Sequence, residues 1–374
     1  LPAALREQLA ARTHLGRRGT AESERSRAAS LTLEGRFNEA ITALMTARDV
    51  ILEADDKVEL ARIALDLADV FQWLGDLRRA KEEIDHAASI IEPVVGERGM
   101  TQRDVLAGVL TSISSIMAGR GDPGDATRNA QLYRGFTEIT YYRGLIAKAL
   151  GRWEEAERHF MRVLPEYRAL GTGEAIEYQL AQITLGRGEA AEALTLARHI
   201  ASVFDRGAFR PKRAVLQKLM AECLHALGDS DAALQLVGES IQDLERRHFD
   251  PDALWRSQHL QARIWSDRGD RASALKTFRD AVGTIGELRR APLGYRLDST
   301  YLADKKELFS RAIAEAALAG QAGDCCRFME SIKSRTLTAV LSIPRSGAET
   351  SADLGGQVDT LTRQLDALEY QAYR

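Results

Sequence analysis

The sequence is poor in cysteine and proline, and charge of neither sign is in marked excess. Only three of its 374 residues are cysteine and eight are proline. With two of the three cysteines adjacent (Cys325 and Cys326), a disulfide framework is excluded, and no Cys/His spacing is typical of zinc. We therefore expect a reducing cytoplasm and no bound metal. The net charge of −3 and the pI near 6.2 argue against a dedicated nucleic-acid-binding protein.

Long apolar runs are also missing. The longest uncharged stretch, residues 105–119, has fifteen residues, which is too few to cross a bilayer, and we interpret it as a buried helix. Residues 1–11 contain Arg6 and Glu7 and lack the apolar core of a signal peptide. We expect neither secretion nor a membrane partner. Because the first residue is leucine rather than methionine, we also expect a fragment or a processed chain.

What the sequence does contain is a glycine followed five residues later by alanine, repeated about every forty residues. Neighbouring copies are 37 to 41 residues apart, except for 76 residues between Gly75 and Gly151, where a degenerate unit with a turn at Gly121–Ala126 fits. Such a period predicts stacked helical hairpins. The copies are Gly35–Ala40, Gly75–Ala80, Gly151–Ala156, Gly188–Ala193, Gly228–Ala233 and Gly269–Ala274.

Each copy predicts the packing of its hairpin. Glycine tolerates positive φ, so it ends the first helix. A small residue lies before it, where two helices approach closely: Ala68, Gly144, Ala181, Ala221 or Ala262. After the alanine comes a bulky apolar residue (Leu44, Ile84, Phe160, Phe278) and then a small one (Ala47, Ala87, Ala281). This spacing gives the second helix one apolar stripe.

The pattern resembles the tetratricopeptide repeat (TPR), in a variety with longer helices. The resemblance implies an all-α solenoid of about seven hairpins that presents surfaces to partner proteins. We expect an N-terminal helix or cap at residues 1–20, a TPR-like superhelix at 21–290, a terminal hairpin at 291–343, and a linker with the start of a connector helix at 344–374.

The sequence contains no pattern that indicates catalysis or cofactor binding. Cys223 and His225 are the only close Cys/His pair, but side chains two residues apart on a helix point away from each other, so we interpret Cys223 as packed. The seven histidines form no metal-binding pair. We therefore predict no catalytic, cofactor or metal site in this chain.

Partner binding is predicted on the inner wall that the first helices form. A peptide or protein partner would contact these side chains, and their charge changes from acidic at the N-terminal repeats to basic between Lys218 and Arg263, which favours an acidic partner segment. The alternative is that they are ordinary solvated positions. The predicted residues are Asp69, Gln72, Glu138, Tyr141, Lys148, Tyr178, Gln182, Lys218, Glu222, His225, Arg256, His259 and Arg263.

The C-terminal part departs from the repeat. We predict a long helix at Tyr295–Ala319 and a second helix that follows Gly320 and runs to Val340. Pro344 and Gly347 end that helix. Apolar residues then recur in steps of four and three, which is typical of a coiled-coil seam. They are Leu354, Val358, Leu361, Leu365 and Leu368.

The second of these helices carries a motif formed by Glu330, Lys333, Arg335 and Leu337. Together with the linker and heptad helix, it resembles the junction between TPR repeats and the caspase-like peptidase of CHAT proteins (caspase-HetF-associated-with-TPRs). The resemblance implies a regulatory arm that binds an activator, a substrate or its own peptidase domain, in a setting such as bacterial defence. A sensor arm of a signalling ATPase or transcriptional regulator, and a free-standing scaffold, are the alternatives.

Overall fold

A computed structural model describes residues 3–52, 56–97, 123–204, 213–247, 250–288 and 305–332. Fourteen helices account for the regular structure of these residues, which contain no strand. The all-α solenoid class that the repeat predicts is confirmed. The helices are α1 Ala3–Leu33, α2 Phe37–Leu52, α3 Lys57–Trp73, α4 Leu77–Glu97, α5 Pro123–Ala149, α6 Trp153–Ala169, α7 Gly173–Gly186, α8 Ala190–Phe204, α9 Arg213–Ala226, α10 Ser230–Arg247, α11 Pro251–Asp267, α12 Arg271–Leu288, α13 Lys306–Leu318 and α14 Ala322–Ile332.

A repeated turn joins the two helices of each hairpin. At Gly75 (φ 74°), the glycine N–H donates to the carbonyl of Gln72 at 2.9 Å, and the N–H of Asp76 donates to the carbonyl of Phe71 at 2.8 Å. This is the Schellman arrangement, which satisfies the last carbonyls of a helix and requires a left-handed residue. All six predicted glycines make the same turn, as do Gly320 between α13 and α14 and Gly171 between α6 and α7.

The small residues of the pattern lie where two helices approach closely. A Cβ atom added to Gly144 of α5 would lie 3.0 Å from two ring carbons of Phe160 in α6. The alanine five residues after each of the six repeat glycines has no exposed surface. These positions are Ala40, Ala80, Ala156, Ala193, Ala233 and Ala274.

The chain forms two compact units, which we describe separately. The first comprises residues 1–30 and 39–189, and the second comprises residues 31–38 and 190–374. In the first unit α3 packs on α4, α4 on α5, α5 on α6 and α6 on α7. In the second, each helix from α8 to α14 packs on the next one along the chain. Contacts between consecutive helices are the expected organisation of a solenoid.

Parts of three sequence expectations can be compared with the structure, while the predicted domain bounds stay a prediction. Helix α1 passes residue 20, the predicted edge of the N-terminal cap, without a break. After the turn expected at Gly121–Ala126, one helix of 27 residues runs from Pro123 to Ala149, so no separate second helix precedes the Gly151 hairpin. The described part of the helix predicted at Tyr295–Ala319 is α13, which runs from Lys306 to Leu318. Residues 98–122, with the predicted buried helix, and residues 289–304 lie outside the described part.

Candidate partner-binding surfaces

The ten inner-wall residues from Tyr141 to Arg263 fall into both units, and each group is described within its own unit. Tyr141, Lys148, Tyr178 and Gln182 belong to the first unit, and the other six belong to the second. All ten lie on first helices, nine have partly exposed side chains, and Arg256 is exposed. Their predicted location on a half-exposed helix face therefore agrees with the structure, whereas their role in binding stays a prediction.

In the first unit, α5 contributes an aromatic cluster. The ring of Tyr141 stacks on Tyr167 with centroids 5.8 Å apart, and its edge meets Phe160 and Tyr142 at 5.8 and 5.6 Å. Burial, followed by the nearby charge of Asp69, raises the pKa of Tyr141 to about 12. Tyr141 thus belongs mainly to the packing between α5 and α6, with only part of its side chain open to a partner.

Lys148 connects α5 to α7 through a polar network. Its ammonium donates to the side-chain oxygen of Gln182 at 2.6 Å and also to that of Gln179. The amide of Gln182 in turn donates to the hydroxyl of Tyr178 at 3.0 Å. Because these predicted residues are partners of one another, they form a preorganised polar patch rather than a set of separate groups.

Asp69 differs from the other carboxylates on the same face of the first unit. Arg25 pairs with both Glu59 (2.8 Å) and Asp66 (2.5 Å). For Asp69, no ion pair is found within the described residues, and Trp73 donates it a hydrogen bond. Burial, together with the charge of Asp66, raises the pKa of Asp69 to about 6.

Near this carboxylate, Gln72 of the same helix has a buried amide nitrogen for which the described residues supply no hydrogen-bond partner. Gln72 and Asp69 are three residues apart and therefore lie on one side of α3. This side of α3 thus combines an uncompensated carboxylate with an unsatisfied donor, which is a costly arrangement for a buried surface without a ligand.

In the second unit, the three cations predicted to make the wall basic are paired with carboxylates. Lys218 contacts Glu222 at 2.7 Å, Arg256 contacts Asp252 at 2.7 Å, and Arg263 lies 3.9 Å from Glu307. The basic character that the sequence indicates is therefore largely neutralised locally. The pairs Lys218–Glu222 and Asp252–Arg256 can be recognised in the sequence from their spacing of four residues. The third pair cannot, because Glu307 approaches Arg263 from another helix, α13.

The centre of this second surface is His259 on α11. Its ring stacks on Trp255 with centroids 6.5 Å apart, and its Nε2 atom is buried with no partner among the described residues. Burial, together with the charges of Arg263, Arg311 and Lys218 and against the opposing effect of Glu307, lowers the pKa of His259 to about 4. The imidazole is consequently neutral at pH 7 and can either donate or accept a hydrogen bond.

Two other polar atoms on this face have no hydrogen bond within the described part of the chain, although one of them, Nε of Arg263, is the atom that lies 3.9 Å from Glu307. The Nε atom of Arg263 and the Nδ1 atom of His225 are buried without a hydrogen bond to any described residue. The other ring nitrogen of His225, Nε2, lies 2.9 Å from a carboxylate oxygen of Asp267. We call the group of His225, His259 and Arg263 the histidine–arginine face. It presents hydrogen-bonding groups that a bound peptide could satisfy.

Two residues of α13 at this surface were missed by the sequence interpretation. Arg311 lies 3.1 Å from Glu307 and 3.5 Å from Asp267 of α11. The signal was available, because Gly320 marks α13 as the first helix of a further hairpin. It was obscured because Cys325 occupies the position of the repeat alanine and the segment was interpreted as a departure from the repeat.

The cysteines give no indication of a reactive or metal-binding site in the described residues. Cys223 is fully buried, as predicted, and burial raises the pKa of its thiol to about 11. Cys325 is partly buried and Cys326 is exposed. No group of ligating side chains that could hold a metal ion, and no helix long and apolar enough to cross a membrane, occurs in the part of the chain that is described.

Of the predicted junction motif, only Glu330 is described, and it lies near the end of α14. Lys333, Arg335 and Leu337 lie outside the described residues, as do the linker and the heptad seam. The structure therefore does not test the motif.

Comparison with known proteins shows distant similarity only. No protein-family model matches the chain, and a search of curated proteins found no match. Among solved structures, a putative kinesin light chain with nearly identical TPR-like repeats from Podosopora anserina is 16% identical, covering 63% of this chain and 99% of that one, with a TM-score of 0.37. A Rap protein complexed with competence and sporulation factor is 10% identical, covering 83% and 96%, with a TM-score of 0.43.

A Signal Transduction ATPase with Numerous Domains (STAND) protein with a tetratricopeptide repeat sensor, from Pyrococcus horikoshii, is also similar. The two are 13% identical, the match covers 92% of this chain and 44% of that chain, and the TM-score is 0.43. At such scores these similarities carry no inference about a partner or an activity.

Proposed function

We propose that this chain is a protein-interaction scaffold that binds an extended peptide segment of a partner on its first-helix faces. The observation that carries the proposal is the histidine–arginine face, where partly buried side chains leave hydrogen-bonding atoms without partners. Buried polar groups in folded proteins are normally satisfied, so unsatisfied ones on a partly buried helix face call for an explanation. A peptide backbone, which offers both N–H and C=O groups, can satisfy all three side chains.

The pairing of the cations affects what this face would recognise. Because Lys218, Arg256 and Arg263 already have carboxylate partners, net charge is not the main source of affinity. Recognition would rest on hydrogen bonds to His259 and Arg263. Reversing the charge of all three cations would place like charges beside Glu222, Asp252 and Glu307, and would therefore confuse lost binding with lost stability.

A sharper experiment changes one group at a time. Peptides would be selected from a random twelve-residue library on the full chain, and their dissociation constants measured by isothermal titration calorimetry. Arg263→Ala should weaken binding by about tenfold or more, since a hydrogen bond from a charged donor contributes roughly 1.5–3 kcal/mol. Arg246→Ala is the matched control, because Arg246 is an exposed arginine on α10, a second helix. Equal affinity of the two variants would refute the assignment.

We further propose that this scaffold is the regulatory arm of a bacterial CHAT caspase-like protease. The support is the resemblance of Glu330, Lys333, Arg335 and Leu337, with the heptad seam after them, to the junction in that family. In such an arrangement the peptide bound on the first-helix faces would come from an activator, from a substrate or from the peptidase domain itself. This chain would then have no peptidase activity of its own.

The test of this finer proposal is the coding sequence that follows residue 374 in the source genome. A caspase-like domain with a His/Cys pair would support it. A nucleotide-binding or helix-turn-helix domain would indicate the sensor arm of an ATPase or transcriptional regulator, and a stop codon would indicate a free-standing scaffold. Either of the last two results would overturn the protease assignment and leave the peptide-binding proposal intact.

A further inference from the structure

The seventh hairpin exposes positions that are buried in all six others. In the repeat, the residues nine and twelve positions after the turn glycine have at most 1% of their surface exposed. After Gly320 the equivalent residues are Met329 and Ile332, which are 46% and 41% exposed. The buried set consists of Leu44 and Ala47, Ile84 and Ala87, Phe160 and Val163, Ala197 and Ile200, Val237 and Ser240, and Phe278 and Ala281.

The cause is a rotation of α14 about its own axis. Its buried residues are Phe328 and Asp324, each one position earlier than the repeat pattern requires. Asp324 fixes this orientation, because both of its carboxylate oxygens accept hydrogen bonds from Arg279 of α12, at 2.6 and 3.1 Å. One residue corresponds to about 100° around a helix, so the positions that belong to the core elsewhere turn outward here.

The outward positions form one apolar strip. Cys326, Met329 and Ile332 are spaced three residues apart and are all exposed, and residues at such spacing lie on one side of a helix. We call them the α14 strip. In the preceding hairpins the second helix is covered by the next helix along the chain, as α10 is by α11 and α12 by α13. None of the described residues covers α14 in this way.

We propose that the α14 strip is the docking site of this chain's own heptad segment, residues 354–368. That segment is the next part of the sequence with a helical apolar stripe, and its seam of Leu354, Val358, Leu361, Leu365 and Leu368 presents apolar side chains along one face. Twenty-one residues separate Ile332 from Leu354, which is ample chain for an antiparallel return along a helix of eleven residues. A tethered segment also has a high effective concentration at a neighbouring site.

Cys326 allows a direct test in the full chain. In a Cys325→Ala background, which places alanine at the usual repeat position, Leu361→Cys puts a thiol on the seam. Arg363→Cys, two residues further on, puts one on the opposite side of the same segment. Disulfides require Cβ atoms about 3.5–4.5 Å apart. On mild oxidation with diamide, which accepts the two electrons and two protons of the thiols, the intrachain bond to Cys326 should form at least tenfold faster in the Leu361→Cys variant than in the Arg363→Cys variant.

Equal rates for the two variants, or no intrachain bond, would overturn the proposal. A disulfide-linked dimer would also overturn it, because it would show that a second copy occupies the strip. A second measurement does not depend on crosslinking geometry. The double change Leu361→Asp and Leu365→Asp should raise the rate of Cys326 alkylation at least tenfold, whereas Arg363→Asp should leave it unchanged. An unchanged rate in the double variant would contradict docking. The proposal does not depend on the identity of any partner.

Discussion

Replacing Asp69 with asparagine should stabilise the protein at neutral pH. The carboxyl group has a pKa of about 6 in the folded chain, against 3.8 for an unperturbed aspartate, because it is desolvated and lies near Asp66. A raised pKa means that the folded state resists ionisation. At one pKa unit per 1.36 kcal/mol, the ionised carboxylate costs the folded state about 3 kcal/mol as an upper limit. Asparagine keeps an oxygen for the hydrogen bond from Trp73 and carries no charge.

The sign of the pH dependence follows from the same shift. Between pH 3.8 and about 6 the unfolded chain has lost the Asp69 proton while the folded chain retains it. The folded state therefore binds more protons, and this group's contribution to stability decreases as the pH rises through that range. Above about pH 6 both states are ionised and the contribution becomes constant. In Asp69→Asn this decrease should disappear.

The assay is urea unfolding at pH 4.5 and pH 7.5, followed by far-ultraviolet circular dichroism. The Asp69→Asn variant should have a higher midpoint than the parent at pH 7.5 and an advantage about one third as large at pH 4.5, where the carboxyl of the unfolded chain is already mostly ionised. Asp49→Asn is the matched control, because Asp49 is an exposed aspartate of α2 and is not among the groups that shift the pKa of Asp69. If Asp69→Asn lowered the midpoint at pH 7.5, the carboxylate would be stabilised in its charged form and the reasoning would be refuted.

Two other predictions concern packing and the second surface. Gly144→Ala should destabilise by about 1–3 kcal/mol, since its Cβ would lie 3.0 Å from Phe160. Gly238→Ala on α10, where the nearest atom is 3.8 Å away, should instead stabilise by up to ~1 kcal/mol, and urea midpoints distinguish the two outcomes. The pKa of His259 is about 4 in the folded state, below its unfolded value of 6.5. The contribution of this imidazole to the free energy of unfolding should therefore be lost as the pH falls from 6.5 towards 4. His259→Phe should remove this loss of stability at acid pH. If the free energy of unfolding depended on pH in the variant as it does in the parent, the prediction would be contradicted.

The fold could be predicted because its information is local and repeated. A glycine that ends a helix and an alanine at a helix crossing act through neighbours close in sequence, so positions such as Gly75 and Ala80 were identified without the structure. Gly320 makes the same turn, but Cys325 replaces the alanine and the rotation of α14 moves the bulky position from 329 to 328. The seventh hairpin therefore keeps the turn of the repeat but departs from the alanine pattern of the other six.

The candidate surfaces could be located from sequence but their electrostatics could not. Helical periodicity places Lys218, His259 and Arg263 on exposed faces of first helices. It does not show that Glu307 approaches Arg263 from α13, because that contact joins residues 44 positions apart. The neutral state of His259 and the uncompensated charge of Asp69 likewise depend on burial and on side chains from other positions.

The central claim, that a peptide binds on the histidine–arginine face, is tested most directly by nuclear magnetic resonance of the imidazole of His259. A peptide selected on the full chain would be titrated into protein with ¹⁵N-labelled histidine. The ring nitrogens of His259 should shift with the same dissociation constant that calorimetry gives, because Nε2 would gain a hydrogen-bond partner. Saturable binding that leaves the resonances of both His225 and His259 unmoved would contradict the claim.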